Sequence, residues 1–86
     1  MLTYFFHPSA EKELARLPIK EQVRIITKIK EVCQLNHPLQ HRKVKKLKGR
    51  RFEEFRLRVG NYRIKFIFVR PNIIKIIHIQ HRQVGY

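Results

Sequence analysis

The chain is 86 residues long and sets 20 Lys and Arg against 6 Asp and Glu, a formal net charge of +14; such a charge excess points to an anionic partner, with nucleic acid first, an acidic protein second and an anionic membrane surface third. Its 43% hydrophobic content excludes a disordered chain, although a single domain over residues 1–86 buries only about 60% of its unfolded surface and has a thin core. The one cysteine excludes an internal disulfide or a cysteine metal framework, no apolar run reaches the ~20 residues of a membrane span, and the start MLTYFFHPS lacks the basic region of a secretory signal, so a cytoplasmic protein without a membrane partner is expected.

Leu2–Phe6 is rich in β-formers and ends at His7-Pro8, which predicts a first strand. Ser9 is placed to cap a helix over Ala10–Leu17, with Leu14 and Leu17 three apart. Pro18 breaks that pattern. A second helix is expected over Ile19–Leu35, with Ile19, Val23, Ile26, Ile29 and Cys33 as its apolar stripe and Lys20, Arg24, Lys28 and Glu31 on its other side. Cys33 reads as a small core residue. Asn36–Gln40 is a loop by composition. The block Arg42–Arg51 then packs seven cations into ten residues. Val44 and Leu47 interrupt it and are placed to pin it to the core. Its cations are candidate phosphate contacts, against the alternative of a merely solvated block.

Three strands follow at Phe52–Val59, Tyr62–Val69 and Ile73–Gln80, with turns at Gly60-Asn61 and Pro71-Asn72. The order β-α-α-β-β-β predicts an α+β domain, a helical hairpin packed on one face of a mainly antiparallel sheet. Pairing outward from Gly60-Asn61 sets Val59 opposite Tyr62, Arg58 opposite Arg63, Leu57 opposite Ile64, Arg56 opposite Lys65 and Phe55 opposite Phe66. One face is then wholly apolar, and the other holds Arg56, Arg58, Arg63 and Lys65. Extending the count over a two-residue Pro71-Asn72 turn sets Ile64 opposite Ile79, Phe66 opposite Ile77, Lys65 opposite His78 and Arg63 opposite Gln80.

Like charges directly opposite on a sheet cost roughly 0.2–1 kcal/mol a pair. A merely solvated face would interleave Glu or Thr, and between Arg56 and Lys65 there is none, so the face reads as a phosphate cradle. Arginine holds phosphate and stabilises transition-state charge but is a poor base. Proton transfer falls to Lys65, His78, His81 or the terminal Tyr86. No metal-ligand spacing or glycine-rich phosphate loop is present, and no metal or cofactor is expected. Cleavage of a phosphodiester by its own 2′-OH needs only these parts, and that route implies RNA.

The segments KKLKG and FRLRVGNYRIKF, the closing His81-Arg82, the terminal Tyr86 and the opening A…KELARLP together resemble the RelE/ParE toxin superfamily of bacterial toxin–antitoxin modules. The resemblance spans nearly the whole chain. It implies a RelE-like fold and, in the RelE branch, metal-free cleavage of mRNA in the ribosomal A site. The family's basic and aromatic site residues fall on Arg56, Arg58, Arg63, Arg82 and Tyr86; on charge alone, Lys43, Lys45, Lys46, Lys48, Arg50 and Arg51 are the candidate RNA or ribosome contacts. Some mRNA-cutting members carry lysine where this chain has Arg56 and Arg58, which leaves the base unassigned. The resemblance also implies a cognate antitoxin. Ile67 and Val69, with Ile74 and Ile76 expected opposite them, form an apolar patch on the basic face and are candidate antitoxin contacts. The alternatives are a ParE-like inhibitor of DNA gyrase and a non-catalytic nucleic-acid-binding module.

Overall fold

The period-2 alternation of the second half folds as an antiparallel meander, and the first strand returns to its far edge. The computed structural model describes residues 1–48 and 53–82. Chain order is β1 (Thr3–Phe6), α1 (Pro8–Ala15), α2 (Ile19–Cys33), a 3-10 turn (Pro38–Gln40), β2 (Val44–Lys46), β3 (Glu54–Val59), β4 (Tyr62–Val69) and β5 (Ile73–His81). The sheet runs β1-β5-β4-β3-β2. β1 lies parallel to β5, and every other pair is antiparallel. The two helices and this mixed sheet make the expected α+β domain. Between them lies the core: Ala10, Ile25, Ile29 and Val32 from the helices against Phe55, Leu57, Ile64, Phe66, Ile74 and Ile76 from the sheet, each at most 1% exposed.

Two local readings need correction. His7, not Ser9, caps α1: its Nδ1 accepts the Ser9 N–H at 3.1 Å, and Pro8 opens the helix. Proline suits that position because its missing N–H would be unpaired there anyway. In α2 the buried face is Ile25, Ile29, Val32 and Cys33, while Ile19 and Val23 are 72% and 59% exposed. Gln22 turns inward toward α1, and its Nε2 donates to the Leu17 carbonyl at 2.8 Å. A polar residue on the packed side thus hid the true stripe. The helix also stops at Cys33 rather than Leu35.

β2 was not foreseen as a strand. Lysine is a poor strand former, and the segment is held by its partner: Val44, Lys45 and Lys46 pair with Leu57, Arg56 and Phe55. Val44 is buried and Leu47 half-buried, the two pins expected of this block.

The β3–β4 register is the one expected, residue for residue, from Val59–Tyr62 to Phe55–Phe66. β4–β5 agrees at Ile64–Ile79, Lys65–His78 and Arg63–Gln80, then slips at a bulge beyond Lys65, so that Phe66 faces Ile76 and not Ile77. The connecting loop holds three residues, Arg70–Asn72, with a cis Arg70–Pro71 peptide. The longer loop moves the lower pairs by one, and the bulge at Ile77 moves the upper pairs back. The slip inverts the faces of the lower half of β5. Ile74 and Ile76 are 1% and 0% exposed; they are core residues and not part of an outer apolar patch.

α1 seals the free edge of β5 beyond β1. The Ile79 N–H donates to Glu13 Oε1 at 3.0 Å, and Ser9 Oγ donates to the carbonyl of the bulged Ile77 at 3.3 Å. Covering an edge this way removes a template for unwanted strand pairing. Ser9→Ala should cost about 1 kcal/mol, the net value of such a bond. In a domain this small that lowers the melting temperature by about 4–8 °C; an unchanged thermal melt would mean the bulge does not need this support.

Candidate nucleic-acid interface

Alternation around the buried Val44, Leu57 and Ile64 turns their neighbours to the sheet face opposite the helices. Register then orders that outer face into rows across the strands. One row is Lys45, Arg56, Lys65 and His78. The next, toward the hairpin turn, is Lys43, Arg58, Arg63 and Gln80; Arg58 N–H donates to the Lys43 carbonyl at 3.1 Å. On the other side of the first row lie Phe5, Lys75, Ile67 and Glu54, and then Thr3, Ile73 and Val69. The outer face is therefore basic at the end near Gly60 and largely apolar at the other.

The basic end is concave. A cavity of about 300 Å³ is lined by Arg42, Lys43, Lys45, Arg56, Arg58, Arg63 and Arg82, with Gly60 and Tyr62 completing it. No acidic residue is among its described lining residues. Arg82 reaches the cavity because its N–H donates to the Asn61 carbonyl at 2.6 Å, which ties the end of β5 to the β3–β4 turn. That turn needs Gly60, whose φ of +56° is disfavoured for other residues. Arg24 of α2, on the side of the helix away from the expected apolar stripe, approaches the same turn: a Cβ on Gly60 would lie 3.0 Å from its Nη1.

Arg63 sits at the centre of the crowding. Burial lowers its pKa from the ordinary value, and the charges of Arg56, Arg82 and Arg58 lower it further. An anion entering the cavity reverses that unfavourable field, and arginine offers a planar fork matched to phosphate oxygens.

The structure thus brings Arg56, Arg58, Arg63 and Arg82 together and adds Lys43 and Lys45. It also adds Arg42, the first residue of the basic block. Lys46 points the other way, opposite Phe55, and its charge helps to lower the Glu53 pKa after the dominant hydrogen bond from Arg70. Lys48 is exposed and outside the cavity. Arg50, Arg51 and Tyr86 lie outside the described residues. Of the proton-transfer candidates, Lys65 and His78 share a row with Arg56. His78 Nδ1 is buried without a hydrogen bond, 3.6 Å from Glu13 Oε1. His81 lies on the other side of the pleat, edge-on to Tyr62 with ring centroids 5.2 Å apart. Ile67 is half-buried and Val69 45% exposed at the apolar end, beside a 46% exposed Phe5. Among the described residues no group of His, Cys, Asp and Glu is placed to hold a metal ion, and no helix is long and apolar enough to cross a membrane.

Comparison with known families matches residues 4–86 to the model of the ParE toxin of type II toxin–antitoxin systems, parDE. No curated protein is significantly similar to the chain. Among solved structures, it is similar to a chain of the RelB–RelE antitoxin–toxin complex of Methanococcus jannaschii, with 30% identity over 92% of this chain and 91% of the other and a TM-score of 0.72. The archaeal RelE–RelB complex of Pyrococcus horikoshii matches at 25% identity over 94% of each chain, with a TM-score of 0.75. The RelBE2 toxin–antitoxin complex of Mycobacterium tuberculosis matches at 25% identity over 94% of this chain and 98% of the other, with a TM-score of 0.63.

Proposed function

This chain belongs to the ParE toxin family of type II toxin–antitoxin systems, in the RelE/ParE superfamily, and from that premise we propose that it halts translation as a ribosome-dependent mRNA endonuclease in the cytoplasm. The observation that carries the reading is the convergence of Arg56, Arg58, Arg63 and Arg82 with Lys43 and Lys45 on one cavity without a described carboxylate. In the proposed reaction the 2′-oxygen of a ribose attacks the adjacent phosphorus. The P–O5′ bond breaks, leaving a 2′,3′-cyclic phosphate and a 5′-hydroxyl. Arg58, Arg63 and Arg82 hold the phosphate and stabilise the charge that develops on its oxygens. Arg56, Lys43 and Lys45 hold neighbouring phosphates. Lys65 and His78, beside Arg56, are the side chains proposed to take the 2′-OH proton and return one to the 5′-oxygen.

Inducing the protein and mapping mRNA ends tests this. Fresh ends with 5′-hydroxyl termini in translated messages support the reading. DNA breaks with intact mRNA would instead support gyrase inhibition, the second reading, which the match to the ParE toxin model favours. The RelE-type neighbours were solved in complexes with RelB, and we propose that a cognate antitoxin likewise binds this chain. Ile67 and Val69, joined by Phe5 and Ile73 in place of Ile74 and Ile76, form the apolar zone proposed as its landing surface. Ile67→Asp with Val69→Asp should weaken antitoxin binding by at least about tenfold, read by titration calorimetry.

A further inference from the structure

The inference rests on the reading of the basic zone as an RNA site and concerns how the chain of the RNA lies on it. The two basic rows are neighbours two residues apart, about 7 Å along the strands, with Arg82 as a single further cation beyond them at the end of β5. Crossing the strands, the same zone runs from Lys43, just before β2, and Lys45 on β2 through Arg58 and Arg56 to Arg63 and Lys65 on β4, then ends at Gln80 and His78. Four strands at about 4.8 Å spacing make it about 14 Å wide. A phosphodiester chain laid along β3 and β4 would leave the cations after one step and meet Ile67 and the Glu54 carboxylate. Laid across the strands, it stays over positive groups on β4, β3 and the β2 segment. The row ends also differ. At β5 the charge gives way to Gln80 and to His78 with Glu13 behind it. At the other end β2 is an edge strand, its lysines exposed and Arg42 beside them.

We propose that single-stranded RNA crosses the sheet at right angles to the strands, with one end over Gln80 and His78 and the other leaving past the β2 edge. A tri- or tetranucleotide fills this path, and its phosphates meet β4, β3 and β2 in turn. Lys43 and Lys45 then contact only RNA long enough to reach them, which separates this path from any in which all contacts converge on one phosphate.

The experiment is a ladder of single-stranded oligoribonucleotides, from mononucleotide to hexanucleotide, titrated into the intact chain and into Lys43→Ala/Lys45→Ala and Ile67→Gln variants. Affinity should rise with length and level off near the tetranucleotide. The β2 double variant should keep the mononucleotide affinity within about twofold and lose about tenfold on the tetranucleotide, and its salt slope should fall by about 1.4 for two lost phosphate contacts on a single strand. Ile67→Gln should bind every length as the intact chain does. Equal losses on mononucleotide and tetranucleotide in the double variant, or a loss confined to long RNA in Ile67→Gln, would overturn the crossing path while leaving the RNA reading intact. Failure of the intact chain to bind any RNA, including tight binding of an acidic peptide instead, would remove the RNA reading and the path with it.

Discussion

Arg63→Ala should abolish RNA cleavage and growth arrest while leaving the fold in place. Removing one charge-stabilising group from a preorganised site costs about 100- to 1,000-fold in rate. Arg63 has more to lose than a rim residue, because it is half-buried and stands nearest in effect to Arg56, Arg58 and Arg82. The measurement is cleavage of a reporter mRNA in a purified translation system, alongside a thermal melt of the same variant. Arg63→Lys should fall between the two, since it keeps the charge but not the two-pronged geometry. Undiminished toxicity in Arg63→Ala would take the cavity out of the chemistry altogether, and a lower melting temperature without loss of rate would assign Arg63 to the scaffold.

Phe55→Ala should cost about 3–5 kcal/mol, the range for removing a fully buried phenylalanine. Phe55 is 0% exposed, stacked on Phe66 at 5.5 Å and 18°, and edge-on to Phe68 at 6.4 Å and His37 at 6.0 Å. A protein of this length has a total stability of about 4–13 kcal/mol. The loss therefore removes about a quarter of that stability or more, and the urea midpoint should fall by at least the same fraction. Phe55 also forms the underside of the strand that carries Arg56, so activity should fall with the fold. Phe55→Leu, which keeps most of the volume, should retain both. A Phe55→Ala protein that melts like the parent would mean that this aromatic cluster is not the keystone its burial indicates.

The β3–β4 hairpin was legible to the residue because three signals agreed: a two-residue Gly-Asn turn, strict alternation, and clean separation of apolar from basic side chains. The β4–β5 pairing was legible only at its upper end. Nothing in Val69–Ile73 distinguishes a two-residue loop from a three-residue one, and a run such as Ile73–Ile79, apolar at both parities, gives no alternation to betray a bulge. The two irregularities cancel above Ile77, so the basic rows keep the expected register while Ile74 and Ile76 turn to the core. β2 was hidden for a different reason: its pairing is imposed by β3, and its own residues are mostly lysine. The α2 face was misjudged because the exposed Ile19 and Val23 keep helical spacing as well as the buried set does. Arg42, Lys43 and Lys45 could be foreseen as cations but not as lining residues, since that depends on a strand the sequence did not announce.

If the proposed site is right, the face-to-face placement of Arg58 with Arg63 and of Arg56 with Lys65 sets potency against sturdiness. Each opposed pair burdens the unoccupied sheet by roughly 0.2–1 kcal/mol. Variants that escape toxicity by losing one of these charges, such as Arg58→Gln, should therefore unfold at a higher temperature than the poison they derive from. A host selecting for survival would be selecting, through the same substitution, for a tougher and harmless relic.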